Sequence, residues 1–547
     1  MFGAAYVGHE TPGYFWDYAG YHDQYRQLTE ELRRGDWPNF LATITSSLQT
    51  SDYNVSPVLP LLPISLLVGD SRLAYILSLI LLYLIPASII LVLLIQECWK
   101  GSGRGISFWL ALGCVLLYPM FWAPTLRGYP DIAALIPMGL AGLLILRTNS
   151  MLQASVRQSL WIGLLLWCTF LLRRHFAYSI VAIILVTLSF AGWQVVFADG
   201  IRNTLLGRFL RNTLLAGVAL LLPALIVQGP LLQKILTTSY GFIYSAYQAE
   251  TGEKLVTMYE RNGPIWTLLA GCGALYATRI RNTKALFCLC VGLLSYAFFQ
   301  HTQAPGIHHT LPFVFWLAPL AAWPLTLINA QATGRRRAGL GALLLGLLSA
   351  VSLPVLAWTD IQRSPLLSWS KPLQARATFP PFRIESYPVL IDLVKELSVP
   401  EYTDKQILIL ASSVELNPSI IASLSPEIAP RVDGAGDVDL RDGFALKKAL
   451  SADYIITTWE PSLHLPAKHQ QVVVIPVRAL FDPKNPLAKS YERKSHRSFR
   501  LSDGNTVYIF KRTSLPSQEA SSWLTAEFRK HYPSWERKDG KIGPHQP

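Results

Sequence analysis

The chain has 547 residues, 51% of them hydrophobic and 15% charged, with a mean hydropathy of +0.31. That apolar surplus excludes an ordinary soluble globular protein of this length and points to an α-helical polytopic membrane protein. The formal charge of +13 does not indicate nucleic acid, because the basic residues sit mostly in short loops between apolar runs, where orientation against lipid headgroups accounts for them.

Residues 1–71 precede the first long apolar run and read as an outer-face segment. Tyr21, Tyr25, Leu28 and Leu32 recur at helical spacing and predict an amphipathic surface helix, ended by Gly35 and Pro38. Asp17 stands just ahead of that helix, where a carboxylate serves either as a cap or as a general base.

The order of these elements is Asp17, the helix Tyr21 to Arg34, Gly35-Asp36-Trp37, and a Pro- and Leu-rich stretch from Pro57 to Pro63. It resembles the GT-C superfamily of integral membrane glycosyltransferases, which includes the protein O-mannosyltransferases and the aminoarabinose transferases of lipid A. Where that family shows Asp-Glu, this chain has Asp17-Tyr18. The resemblance covers about residues 14–358 in topology. It implies a GT-C-like transmembrane bundle and a polyprenyl-phosphate-linked sugar donor. It also implies Asp17 as the catalytic base, and it brings no cofactor or metal.

Ten spans are expected, at about 72–96, 106–123, 131–147, 159–172, 176–196, 213–229, 264–279, 285–300, 312–330 and 339–358. Thirteen basic residues fall in one set of alternate connections and six in the other, so the first set is expected to be cytoplasmic. Ten spans place both residues 1–71 and the chain after 358 outside. Met1 to Ser71 contains neither a signal peptide nor a long apolar run, so a further helix upstream of Met1 is expected to carry the chain across. The six cysteines, Cys98, Cys114, Cys168, Cys272, Cys288 and Cys290, lie in or beside spans and read as core residues, not as a disulfide or zinc framework.

The outward connections carry the chemistry-bearing residues. In Arg127-Gly-Tyr129-Pro-Asp131, Asp131 resembles the second acidic position of the superfamily, while an interfacial Arg127–Asp131 pair is the plainer alternative. Arg173-Arg174-His175 interrupts nearly continuous apolar sequence, and charges at that depth meet either a phosphate or, by snorkelling, the headgroups. His301, Gln303, His308 and His309 form a loop suited to hydrogen-bonding sugar hydroxyls or a phosphate. Tyr259, Glu260 and Arg261 belong to a long aromatic connection that serves a sugar platform or an interfacial belt equally well.

Residues 359–515 read as a soluble α/β domain, with a helix at 387–397 and strands at Gln406–Ala411, Tyr454–Thr458, Val472–Pro476 and Thr506–Arg512. A polar tail over 516–547 follows, with disorder expected from Lys538 onward. Gly434-Ala-Gly436-Asp437 is not a dinucleotide fingerprint. The domain shows no nucleophile, base or phosphate loop, so a role in acceptor choice is expected of it.

The combined expectation is transfer of a sugar from a polyprenyl-phosphate donor to a lipid or glycan acceptor of the cell envelope, by an inverting single displacement on the non-cytoplasmic face of a bacterial inner membrane. Asp17, with Asp131, would act on the acceptor hydroxyl, and Arg173 and Arg174 would stabilise the departing phosphate. A transporter or flippase of a lipid-linked or anionic substrate, and a polysaccharide polymerase or ligase, are the competing readings.

Overall fold

The computed structural model describes residues 1–100, 106–198, 202–328, 381–494 and 498–544, together with 343, 346, 349 and 373. The chain forms two compact units. The first comprises Met1–Gly8, Tyr21–Leu236 and Ala249–Pro381, and the second His9–Gly20, Thr237–Gln248 and Phe382–Pro547.

The first unit is a helical bundle. Its first long helix runs unbroken over Arg72–Trp99, 28 residues, with Ser71 accepting from the Ala74 N–H at its start. A wider π turn occupies Ile80–Leu84 just before Pro86; the ring and missing N–H of proline disturb a regular α-helix, and the wide turn accommodates them. The next apolar stretch, expected as one span, is two helices, Phe108–Leu116 and Pro119–Leu126, bent by 58°. Pro119 forces the preceding Tyr118 out of the helical region, to ψ 94°.

Ile132–Arg147, Val156–Leu172, Pro264–Arg279 and Thr283–Phe299 follow as helices of 16 or 17 residues, about 24–26 Å long at 1.5 Å per residue. Arg174–Val196, Arg202–Thr237 and His308–Leu327 are longer, and with Arg72–Trp99 they make four helices of spanning length and apolarity among the described residues. The expected span at 339–358 and the basic residues Arg335 to Arg337 lie outside those residues.

Packing in this unit depends on small residues that let backbones approach, as in other membrane bundles. A Cβ on Gly163 would lie 2.0 Å from the Ala216 carbonyl oxygen, and one on Gly273 2.1 Å from that of Leu320. The helix Arg202–Thr237 shows Leu214, Leu221, Leu225 and Ile226 more than half exposed, an apolar face of the kind lipid covers. Glu97 holds Lys284 and, at 3.3 Å, Arg147. Basic residues from two of the connections sorted together by charge therefore meet on one carboxylate.

The second unit is built on a mixed sheet. Its strands are β1 (Ile407–Leu410), β2 (Val432–Gly434), β3 (Tyr454–Trp459), β4 (Tyr491–Arg493), β5 (Phe499–Arg500) and β6 (Thr506–Arg512). The order is β2-β1-β3-β6-β4, with β5 also on β6. β1 is parallel to β2 and β3, and β6 runs antiparallel to β3, β4 and β5. Val472–Pro476 is not a strand but part of the helix Gln471–Phe481. A short unbroken apolar run does not distinguish a buried strand from a helix buried on all sides, and in this helix every residue from Gln471 to Val477 is buried.

Where a polar tail was expected, the helix Gln518–His531 and the hairpin β7 (Glu536–Lys538) and β8 (Lys541–Gly543) occur. Leu524, Phe528, Trp535 and Ile542 are fully buried with Leu408 and Phe510 of the sheet. Four apolar residues spread through a polar stretch are enough to fasten it to the core.

Candidate active site

The turn before Ile132–Arg147 is fixed from outside. Arg72 Nη2 donates to the Arg127 carbonyl at 2.7 Å and the Tyr75 hydroxyl to that of Gly128 at 2.9 Å. Gly128 has φ +97°, and a Cβ there would lie 2.5 Å from Arg72 Nη1, so the position is restricted to glycine by both backbone and space. The clamp delivers Tyr129 and Asp131 to the interior. Tyr129 stacks on His308, with ring centroids 4.2 Å apart and planes 13° apart.

Asp131 faces the helix break at Arg173. Its Oδ1 lies 3.0 Å from Arg173 Nη2 and 3.6 Å from His175 Nε2, and Asp131 is fully buried. Arg173 comes from the facing helix break. That break explains the geometry of both arginines. Arg173 is extended, φ −150° and ψ 109°, between the helix Val156–Leu172 and the short turn Arg174–Phe176, so consecutive side chains diverge. Arg173 turns to Asp131, with its guanidinium 5.0 Å from the Tyr21 ring and 5.8 Å from that of Tyr53.

Arg174 turns instead to Asp52, 2.9 Å away, and Lys234 Nζ approaches the same carboxylate at 3.2 Å. Two cations thus share one carboxylate. The Asp52 turn is held there by Asn54 Nδ2, which donates to the Leu171 carbonyl at 3.1 Å, one of the open carbonyls at a helix end. Lys234 is in place because Arg202–Thr237 continues past a kink at Gln228. In sequence that stretch reads as a connection after the span ending near 229, and neither Asp52 nor Lys234 is among the expected site residues. The signal available for Asp52 was a carboxylate in a polar Thr-Ser-Asp-Tyr-Asn turn.

The histidine loop is braced by the helix Thr251–Asn262. Lys254 Nζ donates to the Gln300 carbonyl at 2.8 Å, and Arg261 donates to that of Pro305. His309 Nδ1 accepts the Gly306 N–H at 3.1 Å, with Gln303 Nε2 at 3.2 Å, so in the neutral ring the proton sits on Nε2. Ring centroids of His309 lie 4.9 Å from His175 and 3.9 Å from His308. The structure therefore gathers Asp131, Arg173, His175, Tyr129, His308, His309 and Gln303, with Arg261 as a brace. Tyr259 and His301 are exposed, and Glu260 is half-buried on the bracing helix. Among the described residues no group of three or more His, Cys, Asp or Glu is placed to hold a metal ion.

His22, on the surface helix, donates through Nε2 to the Asp70 carbonyl at 3.0 Å and stacks on Tyr75 at 5.2 Å. Burial, reinforced by the Arg72 charge, lowers its pKa to about 3. Asp23 beside it is raised by burial.

Asp17 lies in the second unit, half-buried in the first turn of the helix Trp16–Arg34. An acidic residue is favoured there by the helix dipole. Trp16, which opens the helix at φ +56°, packs on His464 with ring centroids 5.0 Å apart.

No family model matches the chain, and no curated protein matches it. Among solved structures it is similar to ArnT from Cupriavidus metallidurans bound to undecaprenyl phosphate. The TM-score is 0.54 at 12% identity, over 94% of this chain and 97% of that one. The apo state of the same protein matches with a TM-score of 0.50, also at 12% identity, over 93% of this chain and 95% of that one. At that identity the likeness is one of fold. The chain has the architecture expected from the GT-C resemblance, a polytopic helical membrane protein with a C-terminal sheet-containing domain.

Proposed function

We propose that the chain is a membrane glycosyltransferase that moves a sugar from a polyprenyl-phosphate donor to a hydroxyl of a cell-envelope lipid or glycan on the non-cytoplasmic face. The observation that carries this reading is the cluster of Arg174 and Lys234 on Asp52, in a chain whose fold is that of a protein solved with undecaprenyl phosphate. Two cations are gathered at one place, and the planar guanidinium suits bidentate contact with a lipid phosphate. Asp131 is already engaged by Arg173 in a buried position and acts as a positioning residue, while Asp17, half-buried, is the base.

In the reaction the acceptor oxygen attacks the anomeric carbon and its proton passes to the Asp17 carboxylate. The bond from the anomeric carbon to the phosphate oxygen breaks, and polyprenyl phosphate leaves with the electron pair, its charge met by Arg174 and Lys234. A single displacement inverts the anomeric centre. The transporter reading gives Asp17 no task.

The test supplies the full-length protein in liposomes with radiolabelled undecaprenyl-phosphate-linked pentoses and hexoses and a cell-envelope glycolipid extract. Label should move from the polyprenyl fraction to the glycolipid. Asp17→Asn should reduce that turnover by about 10²- to 10⁴-fold while undecaprenyl phosphate still binds. Near-normal turnover in Asp17→Asn would remove Asp17 as base, and no transfer from any donor would overturn the reading.

A further inference from the structure

The segment carrying Asp17 is built into the soluble unit by several independent contacts. The Thr11 N–H donates to the Phe382 carbonyl at 2.8 Å, and the Thr11 hydroxyl oxygen accepts from the Ile384 N–H at 2.8 Å. The Tyr14 N–H donates to Ser423 Oγ at 3.0 Å. Phe15 packs on Phe382 with ring centroids 5.2 Å apart. Gly13 permits the approach, since a Cβ there would lie 2.6 Å from Ile384 Cδ1.

Beyond this anchor, two polar side chains from distant parts of the chain meet next to Trp16. The Tyr247 hydroxyl and His464 Nε2 are 3.3 Å apart, and His464 also carries the Trp16 ring. His464 is itself held by Gln470, which is fully buried. Gln470 Oε1 accepts the N–H groups of His464 and Leu465 at 3.1 and 2.9 Å, and its Nε2 donates to Ser412 Oγ at 2.8 Å and to the Asp437 carbonyl at 2.6 Å. Gln470 Nε2 also lies 3.1 Å from His464 Nδ1, so the buried amide holds the ring as well as its backbone.

From this arrangement we propose that Tyr247 and His464 are positioning residues for the acceptor, hydrogen-bonding a hydroxyl-bearing glycolipid so that one hydroxyl faces Asp17. The soluble unit would then set acceptor choice through a named pair of side chains. The proposal rests on the reading of Asp17 as base. The protonation states fit the role. Burial lowers the His464 pKa to about 4. Burial first, with the charge of Asp17 among the lesser contributions, pushes the Tyr247 phenol up to about 12. At neutral pH the pair is a neutral imidazole and a neutral phenol, both able to donate and accept toward sugar hydroxyls.

The test uses Tyr247→Phe in the full chain, which keeps the ring and removes the hydroxyl. With the cell-envelope glycolipid extract titrated by mass as acceptor probe, the apparent KM should rise about 10-fold, the value of one lost hydrogen bond to a neutral partner. The kcat should stay within about twofold, and the melting temperature and undecaprenyl phosphate affinity should not change. An unchanged apparent KM, or a loss of activity that tracks a loss of melting temperature, would overturn the proposal. His464→Gln, read the same way, covers the case in which Tyr247→Phe does not fold. If Asp17→Asn abolishes turnover while both variants keep the wild-type KM, this inference alone fails; if Asp17→Asn is active, the assignment of the base fails first.

Discussion

Arg173 and Arg174 are neighbours in sequence, yet they end in opposite electrostatic situations. Arg173 faces one fully buried carboxylate, Asp131, across 3.0 Å and is itself 4% exposed; the pair is closed. Arg174 shares Asp52 with Lys234, and Lys234 is 45% exposed. That second cluster joins two cations on Asp52 and has an edge toward solvent. The difference teaches that a double arginine at membrane depth is not one feature. A single extended residue at the helix break sends one guanidinium to Asp131 and the next to Asp52.

The comparison breaks most visibly at Asp131. Asp131→Asn keeps the side-chain size but leaves Arg173 buried against a neutral amide, which costs about 3–5 kcal/mol when one partner of a buried pair is lost. Thermal melts of the protein in detergent should show a large drop, and Arg173→Met with Asp131→Leu should recover most of it, because an apolar pair removes the uncompensated charge. An Asp131→Asn protein as stable as wild type would mean that Arg173 is not sealed.

Lys234→Ala probes the other cluster. Its side chain is nearly half exposed, so removal should weaken undecaprenyl phosphate binding by a few-fold, about 0.5–1 kcal/mol, with the melting temperature unchanged and the effect shrinking at high salt. An effect independent of salt would indicate packing and not charge.

How much of this was legible in the sequence follows from the same residues. The helical bundle, the Arg173-Arg174-His175 step that breaks it and the helix over Tyr21 to Arg34 were readable, since apolar run length and 3.6-residue periodicity are local signals. The strands at 407–410, 454–459 and 506–512 were readable for the same reason. Pairing was not. Asp131 is met by Arg173, which no local signal indicates and the packing of two helices brings in. Lys234 was hidden because a helix continues through Pro230, where proline suggests an end. Val472–Pro476 reads as a strand because every residue from Gln471 to Val477 is buried, and the meeting of Tyr247 with His464 is not legible because nothing local links positions so far apart.

A pH-dependent effect extends the contrast to another sealed group, His22. Its folded pKa of about 3 lies below the unfolded value near 6.5. The unfolded chain therefore binds more protons between these limits, and the stability from keeping His22 neutral is complete above pH 6.5 and lost as pH falls toward 3. The slope is at most about 1.4 kcal/mol per pH unit. Detergent melts of His22→Gln against wild type should converge as pH drops through that window, whereas a constant gap between them would show that His22 takes up its proton without cost.

The most direct measurement is undecaprenyl phosphate titrated into nanodisc-held protein, wild type against Arg174→Ala. Loss of a charge-assisted contact should weaken binding by about 10- to 100-fold, with no change in melting temperature and with only partial recovery in Arg174→Lys, which restores charge but not the planar fork. Equal affinity in wild type and Arg174→Ala would contradict the account, because the cluster on Asp52 would then have no part in holding the lipid phosphate.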